Sequence, residues 1–157
     1  MSYLLFLLSF IGCLVATGLP VHAEKGLAIV VSAADGRDRL SLQELKRIYL
    51  RKTQVDGKGH RIIPVNLPPD HPLRRFFSQT LFGILPEEME EYWNIQYFHG
   101  VSPPQVLSSE EAVVRFMEAT PDAIGYVSTC AVDQRVKVLT VLASQDLDWK
   151  CPSHSAP

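Results

Sequence analysis

Seven consecutive residues, Gly26 to Ser32 (GLAIVVS), carry no charge and include three β-branched side chains. Such a run fits a strand covered on both faces, since neither of its alternating sets of side chains favours water. A strand of that kind needs a packed layer above and below it, so the rest of the chain has to supply those layers.

The downstream sequence alternates accordingly. Asp35-Gly36 marks a turn. Ser41-Leu42-Gln43-Glu44 has the form of a capping box, with Ser41 as N-cap and Glu44 reaching back from the third helical position. Leu42, Leu45, Ile48 and Tyr49 share one face of that helix, Lys46 and Arg47 lie off it, and Arg51 and Lys52 fall in its last turn, where cations suit the helix dipole. Thr53 to His60 is a hydrophilic loop. Ile62 to Leu67 (IIPVNL) reads as a buried strand, followed by the turn Pro68-Pro69-Asp70-His71 and a helix that buries Leu73, Phe76, Phe77 and Leu81, exposes Arg74, Arg75, Ser78 and Gln79, and ends at Gly83. Pro86-Glu87-Glu88 opens another helix with Met89, Tyr92, Trp93 and Gln96 inward and Gly100 as its stop. Pro103-Pro104 excludes regular helix from Val101 to Leu107. Ser108 and Glu111 form a second capping box, opening a helix with Val113, Phe116 and Met117 inward. Ala123 to Val127 (AIGYV) and Val136 to Leu142 (VKVLTVL) are two further strands. The pattern predicts an α/β three-layer sandwich, one small sheet with helices on its faces. Strand order does not follow from periodicity.

Residues 1 to 23 contain no Lys, Arg, Asp or Glu, and Leu4 to Val15 is almost wholly apolar. This reads as a signal peptide cut after Val21-His22-Ala23, although a basic n-region is missing. A membrane anchor and, through Cys13, a lipoprotein site are competing readings; a spanning helix needs about 20 apolar residues, and Gly18, Pro20 and His22 interrupt this run. Removing 23 of 157 residues leaves 134, enough for a single domain over 24–145 with a short tail at 146–157. Its 15 basic and 17 acidic residues leave a net charge of −2, which argues against a nucleic-acid or membrane-surface partner. Of three cysteines, Cys130 and Cys151 remain after cleavage, an even number in an oxidising compartment; they are expected to pair, the alternative being two separate thiols.

Several motifs taken in order resemble one family. The strand ending Val30-Val31-Ser32, then Leu40-Ser41-Leu42-Gln43-Glu44-Leu45 and Ile48-Tyr49-Leu50-Arg51-Lys52, is similar to the "LS..EL..IF.GK" segment of phosphate ABC-transporter substrate-binding proteins. Arg74 and Phe76, Tyr92-Trp93, Phe98-His99-Gly100, Pro103-Pro104 and Pro121-Asp122-Ala123-Ile124-Gly125-Tyr126-Val127, the last similar to "PGAIGYV", extend the likeness over roughly residues 26 to 142. The resemblance implies one lobe of a type 2 periplasmic binding protein of the PstS kind, a secreted protein that binds phosphate or a related small oxyanion without a cofactor. Such proteins close two lobes on a solute. A lone lobe offers half a site, so the resemblance implies that the chain dimerises, docks on a protein partner or binds weakly.

In that family an Arg near the strand end and a Ser-Gly-Thr run at the helix start donate to phosphate, and the corresponding positions here are Asn66 and Asp70-His71-Pro72. Pro72 lacks an N–H donor, and Asp70 reads as an N-cap whose carboxylate fills the place an anion would take. Arg74 and Arg75 follow the turn and could grip an oxyanion bidentately, or stand solvated on an outer face. Ser32, at a strand end, is either a ligand contact or a turn cap. His60, His71 and His99 lack metal-ligand spacing. With no Gly-x-Ser-x-Gly, phosphate-binding Gly-rich loop or His-Glu-x-x-His, no catalysis is expected. Two classes follow: a solute-binding module, or an interaction module that keeps the lobe but has lost direct ligand binding, the latter predicting an exposed apolar patch from Tyr92, Trp93, Tyr97 and Phe98.

Overall fold

The structure is a computed structural model and describes residues 26–143. The predicted signal segment and tail lie outside the described residues, as does Cys151, the predicted partner of Cys130. Strands β1 (Gly26–Ser32), β2 (Ile63–Asn66), β3 (Gln105–Val106), β4 (Ala123–Ser128) and β5 (Val136–Ala143) form one mixed sheet in the order β3-β2-β4-β1-β5. Its helices are α1 (Leu42–Tyr49), α2 (Pro72–Phe82), α3 (Glu90–Phe98) and α4 (Glu110–Ala119), with 3-10 turns at Pro86–Met89 and Thr129–Ala131.

Every residue of β1 and of β4 is buried, as two central strands require. Alternation along β4 then assigns the layers. A Cβ on Gly125 would stand 2.7 Å from the Val113 side chain and 3.3 Å from Met117, so this face carries α4. Tyr126, on the opposite face, stacks on Phe77 of α2 with centroids 4.2 Å apart and meets Tyr49 of α1 at 6.1 Å. The sheet therefore separates α4 from α1 and α2, the three-layer arrangement expected. Tyr49 and Phe77 add an edge contact at 4.6 Å, and aromatic pairs of this kind contribute about 0.5–1.5 kcal/mol beyond area burial.

Local signals set the helix ends. Ser41 caps α1 reciprocally: its Oγ accepts the Glu44 N–H at 3.2 Å and Glu44 Oε2 accepts the Ser41 N–H at 2.9 Å. Gly83 closes α2 at φ 79°. Four expectations are corrected. α1 stops at Tyr49, so Arg51 and Lys52 lie beyond it, and Arg51 takes a left-handed φ of 59°. Leu42, at the first helical position, is half exposed because the core lies toward the later turns. α4 is capped by Ser109 rather than Ser108, since the Ser109 Oγ accepts the Ala112 N–H at 3.1 Å, and Glu111 is released to pair with Arg115 and Arg135. On α2, Arg74 and Ser78 are buried and Phe76 only partly so.

Candidate functional site

β2 delivers Asn66 to the edge of the sheet, 4 % exposed, and the chain then reverses through Pro68–His71, closed by the His71 N–H on the Pro68 carbonyl at 3.0 Å. Pro72 occupies the first position of α2, where its missing N–H costs nothing and its φ is already helical. That placement makes His71, not Asp70, the N-cap: its ring Nδ1 accepts the Leu73 N–H at 3.2 Å. An accepting Nδ1 leaves the proton of the neutral ring on Nε2. Asp70 is exposed inside the turn, so its carboxylate does not occupy the orphan N–H groups of the helix.

At the third position of the helix, Arg74 turns inward and is 7 % exposed. Its Nη1 donates to Asn66 Oδ1, and the guanidinium is also within hydrogen-bonding reach of the Tyr126 phenol. The Tyr126 hydroxyl donates to the same Asn66 oxygen at 3.3 Å and accepts the Leu67 N–H at 3.2 Å. Strand end, helix start and β4 are thus joined by one buried polar network. Burial pushes the Tyr126 phenol up, with Arg74 opposing; burial likewise pushes Tyr49 well up, helped by Tyr126. Both phenols are therefore neutral at pH 7 and supply no countercharge.

Among the described residues, Arg74 makes no ion pair. A buried charge held only by neutral oxygens carries an uncompensated desolvation cost of several kcal/mol. The positive end of α2 adds to the same sign of potential. Arg75, by contrast, points outward and pairs with Glu87 at 3.0 Å.

Ser32 is not brought to this place. β1 runs antiparallel to β4 whereas β2 runs parallel to it, so the C-terminal ends of β1 and β2 face opposite edges of the sheet. The Ser32 Oγ accepts the Ala34 N–H at 3.3 Å, a turn-capping bond. Beside it, Asp35 pairs with Arg37. Burial works to raise the Asp35 carboxyl, but the Arg37 bonds and charge hold it below its ordinary value. Asn66 and Arg74 are therefore joined through Tyr126, His71 caps the helix that carries Arg74, Asp70 lies exposed in the preceding turn, Arg75 pairs outward with Glu87, and Ser32 is elsewhere. Tyr126 is the member that the sequence reading missed. Its signal was available, because alternation in Ala123–Ser128 aims it at α2 and a buried phenol needs a partner.

No group of three or more His, Cys, Asp or Glu side chains suited to a metal ion occurs among the described residues. No helix among them is long and apolar enough to cross a membrane.

Neither a family model nor a curated protein matches this sequence. Solved structures do match its fold. An ABC-type phosphate transport receptor from Vibrio cholerae superposes with a TM-score of 0.59 at 22% identity, over 73% of this chain and 45% of that one. A putative phosphate ABC transporter substrate-binding protein from Clostridium perfringens, solved with bound phosphate, gives 0.59 at 21% identity over 76% and 47%. PstS from Borrelia burgdorferi gives 0.54 at 15% identity over 74% and 47%. At these identities the likeness establishes the fold, and the chain spans less than half the length of each of these proteins.

Proposed function

We propose that this chain is an exported, non-catalytic solute-binding lobe that takes a small oxyanion, phosphate foremost, at the turn between β2 and α2. The observation that carries the reading is Arg74, a guanidinium buried at a helix N-terminus and held only by the neutral oxygens of Asn66 and Tyr126. The family resemblance expects a guanidinium at the position of Asn66; here one reaches Asn66 from the helix instead of the strand. An oxyanion over the turn would take the remaining Arg74 donors and the His71 Nε2–H, and it would neutralise a charge that no carboxylate among the described residues compensates. Asp70 on the rim opposes an anion and moderates its affinity. The phosphate named in the structural neighbours accords with this chemistry.

The reading is tested by thermal unfolding of residues 24–157 in phosphate. A ligand that binds only the folded state at about 100 times its Kd stabilises by about 2.7 kcal/mol, so the melting temperature should climb steadily with phosphate. Asp70→Ser should enlarge the effect. An unchanged melting temperature in both phosphate and sulfate would reject the reading.

A second reading, an interaction module, is favoured by the outer face of α3. Tyr97 is 69% and Phe98 88% exposed, with Ile95 half exposed, whereas Tyr92 and Trp93 are partly buried and Tyr92 bonds the Leu50 carbonyl at 2.8 Å. Sedimentation velocity on wild type and Phe98→Asp discriminates. A self-association that this substitution abolishes supports the module, and a monomer at every concentration rejects its homodimeric form.

A further inference from the structure

Arg51 and Arg61 share a second setting that the β2–α2 turn does not explain. They line one cleft of about 250 Å³, beside the start of β2, whose other walls include Ile62, Pro64, Pro103 and Pro104. Among the described residues no Asp or Glu lines it. Arg51 follows α1 in a left-handed conformation, φ 59°, that glycine adopts without strain and arginine does not. Among the described residues its guanidinium has only long bonds, to the Ile62 carbonyl at 3.4 Å and to Gln54 Oε1 at 3.5 Å, and its buried Nε has no hydrogen-bond partner. Burial and the like charge of Arg61 both push Arg51 below the ordinary arginine value. Arg61 itself forms no ion pair among the described residues. Among the described residues, two guanidiniums thus repel each other across a cleft with no acidic wall, although Arg61 also borders a neighbouring pocket lined by Asp35, Asp56 and Asp122.

We propose that this cleft binds a small organic carboxylate, its two oxygens held by Arg51 and Arg61 and its carbon body laid against Ile62, Pro103 and Pro104. The wall chemistry decides between anions. Three prolines contribute no N–H, so the charged donors here are the two planar forks, which match the paired oxygens of a carboxylate, and Gln105 adds one neutral amide at the margin. A phosphate would press part of its four-oxygen shell against apolar walls without donors, at a desolvation cost that a carbon chain escapes. The site is separate from the β2–α2 turn, since Ile62 and Asn66 bracket opposite ends of β2, so neither proposal depends on the other.

Calorimetric titration of the full chain with butyrate, acetate and phosphate tests this, in wild type, Arg61→Gln, Arg51→Lys and Arg74→Gln. Arg61 is exposed, so its substitution leaves folding intact, which an unchanged melting temperature verifies. Butyrate should bind wild type and Arg74→Gln equally and more tightly than acetate. It should bind Arg61→Gln and Arg51→Lys at least about tenfold more weakly, as expected for loss of a charge-assisted or bidentate contact. No heat with butyrate, butyrate binding that survives both arginine substitutions, or phosphate binding in Arg74→Gln as tight as butyrate would overturn it.

Discussion

Tyr126→Phe isolates the network on which the candidate site stands. The substitution keeps the ring and its 4.2 Å stack on Phe77, so no cavity larger than a hydroxyl opens. What disappears is the acceptor for the Leu67 N–H, at a residue with 0% exposure, the donor to Asn66 Oδ1, and one of the two neutral oxygens that hold the Arg74 guanidinium. Asn66 retains Arg74 as a donor, so its share of the loss is small. An orphaned buried N–H costs about 1–3 kcal/mol, and about 2 kcal/mol is the expected loss of stability. For a domain of the described length, residues 26–143, each kcal/mol shifts the melting temperature by about 4 °C. A fall of about 8 °C should follow, seen by scanning calorimetry, with an unchanged urea m-value to show that unfolding stays two-state. A loss under about 0.5 kcal/mol, the range of ordinary surface changes, would mean that the phenol is not committed to Leu67 and Asn66.

Other outcomes follow from the same structure. Gly125→Ala should destabilise by about 1–3 kcal/mol in urea titrations, because the new methyl would sit 2.7 Å from Val113 and 3.1 Å from Val65 and force α4 off the sheet. Glu111, bonded to Arg135 and Arg115, is held down to about 2 from its ordinary 4.5. A depressed carboxyl stabilises the fold fully above pH 4.5, and that contribution drains away as the pH falls toward 2. Glu111→Gln should therefore flatten the stability profile within that window while leaving its slope at neutral pH unchanged, as acid titrations followed by circular dichroism would reveal.

Much of the fold was legible because its signals are local. The Gly26–Ser32 run, the Ser41–Glu44 box and the Gly83 stop each depend on a few adjacent residues, and each occurs where the sequence indicated. Pairing is not local. The antiparallel setting of β1 could not be read from GLAIVVS, and it is what carries Ser32 away from Asn66. β3 is too short for periodicity to register, with prolines immediately before it. At the site, Pro72 fixed the helix register so that His71 rather than Asp70 became the cap, a competition between two plausible caps that only the turn geometry settles. Arg74 and Ser78 lie one helical turn apart on a face whose polarity reads as outward. Their burial arises from Asn66 and Met89, which come from elsewhere in the chain.

Calorimetric titration with phosphate tests most directly whether the buried Arg74 guanidinium serves an anion over the β2–α2 turn. Wild type and Arg75→Gln should release similar binding heats, because Arg75 faces Glu87 at the surface. Arg74→Gln, folded by circular dichroism, should bind at least about tenfold more weakly, the loss expected when a charge-assisted contact is removed. Equal phosphate binding by wild type and Arg74→Gln, or no binding by wild type, would contradict the account.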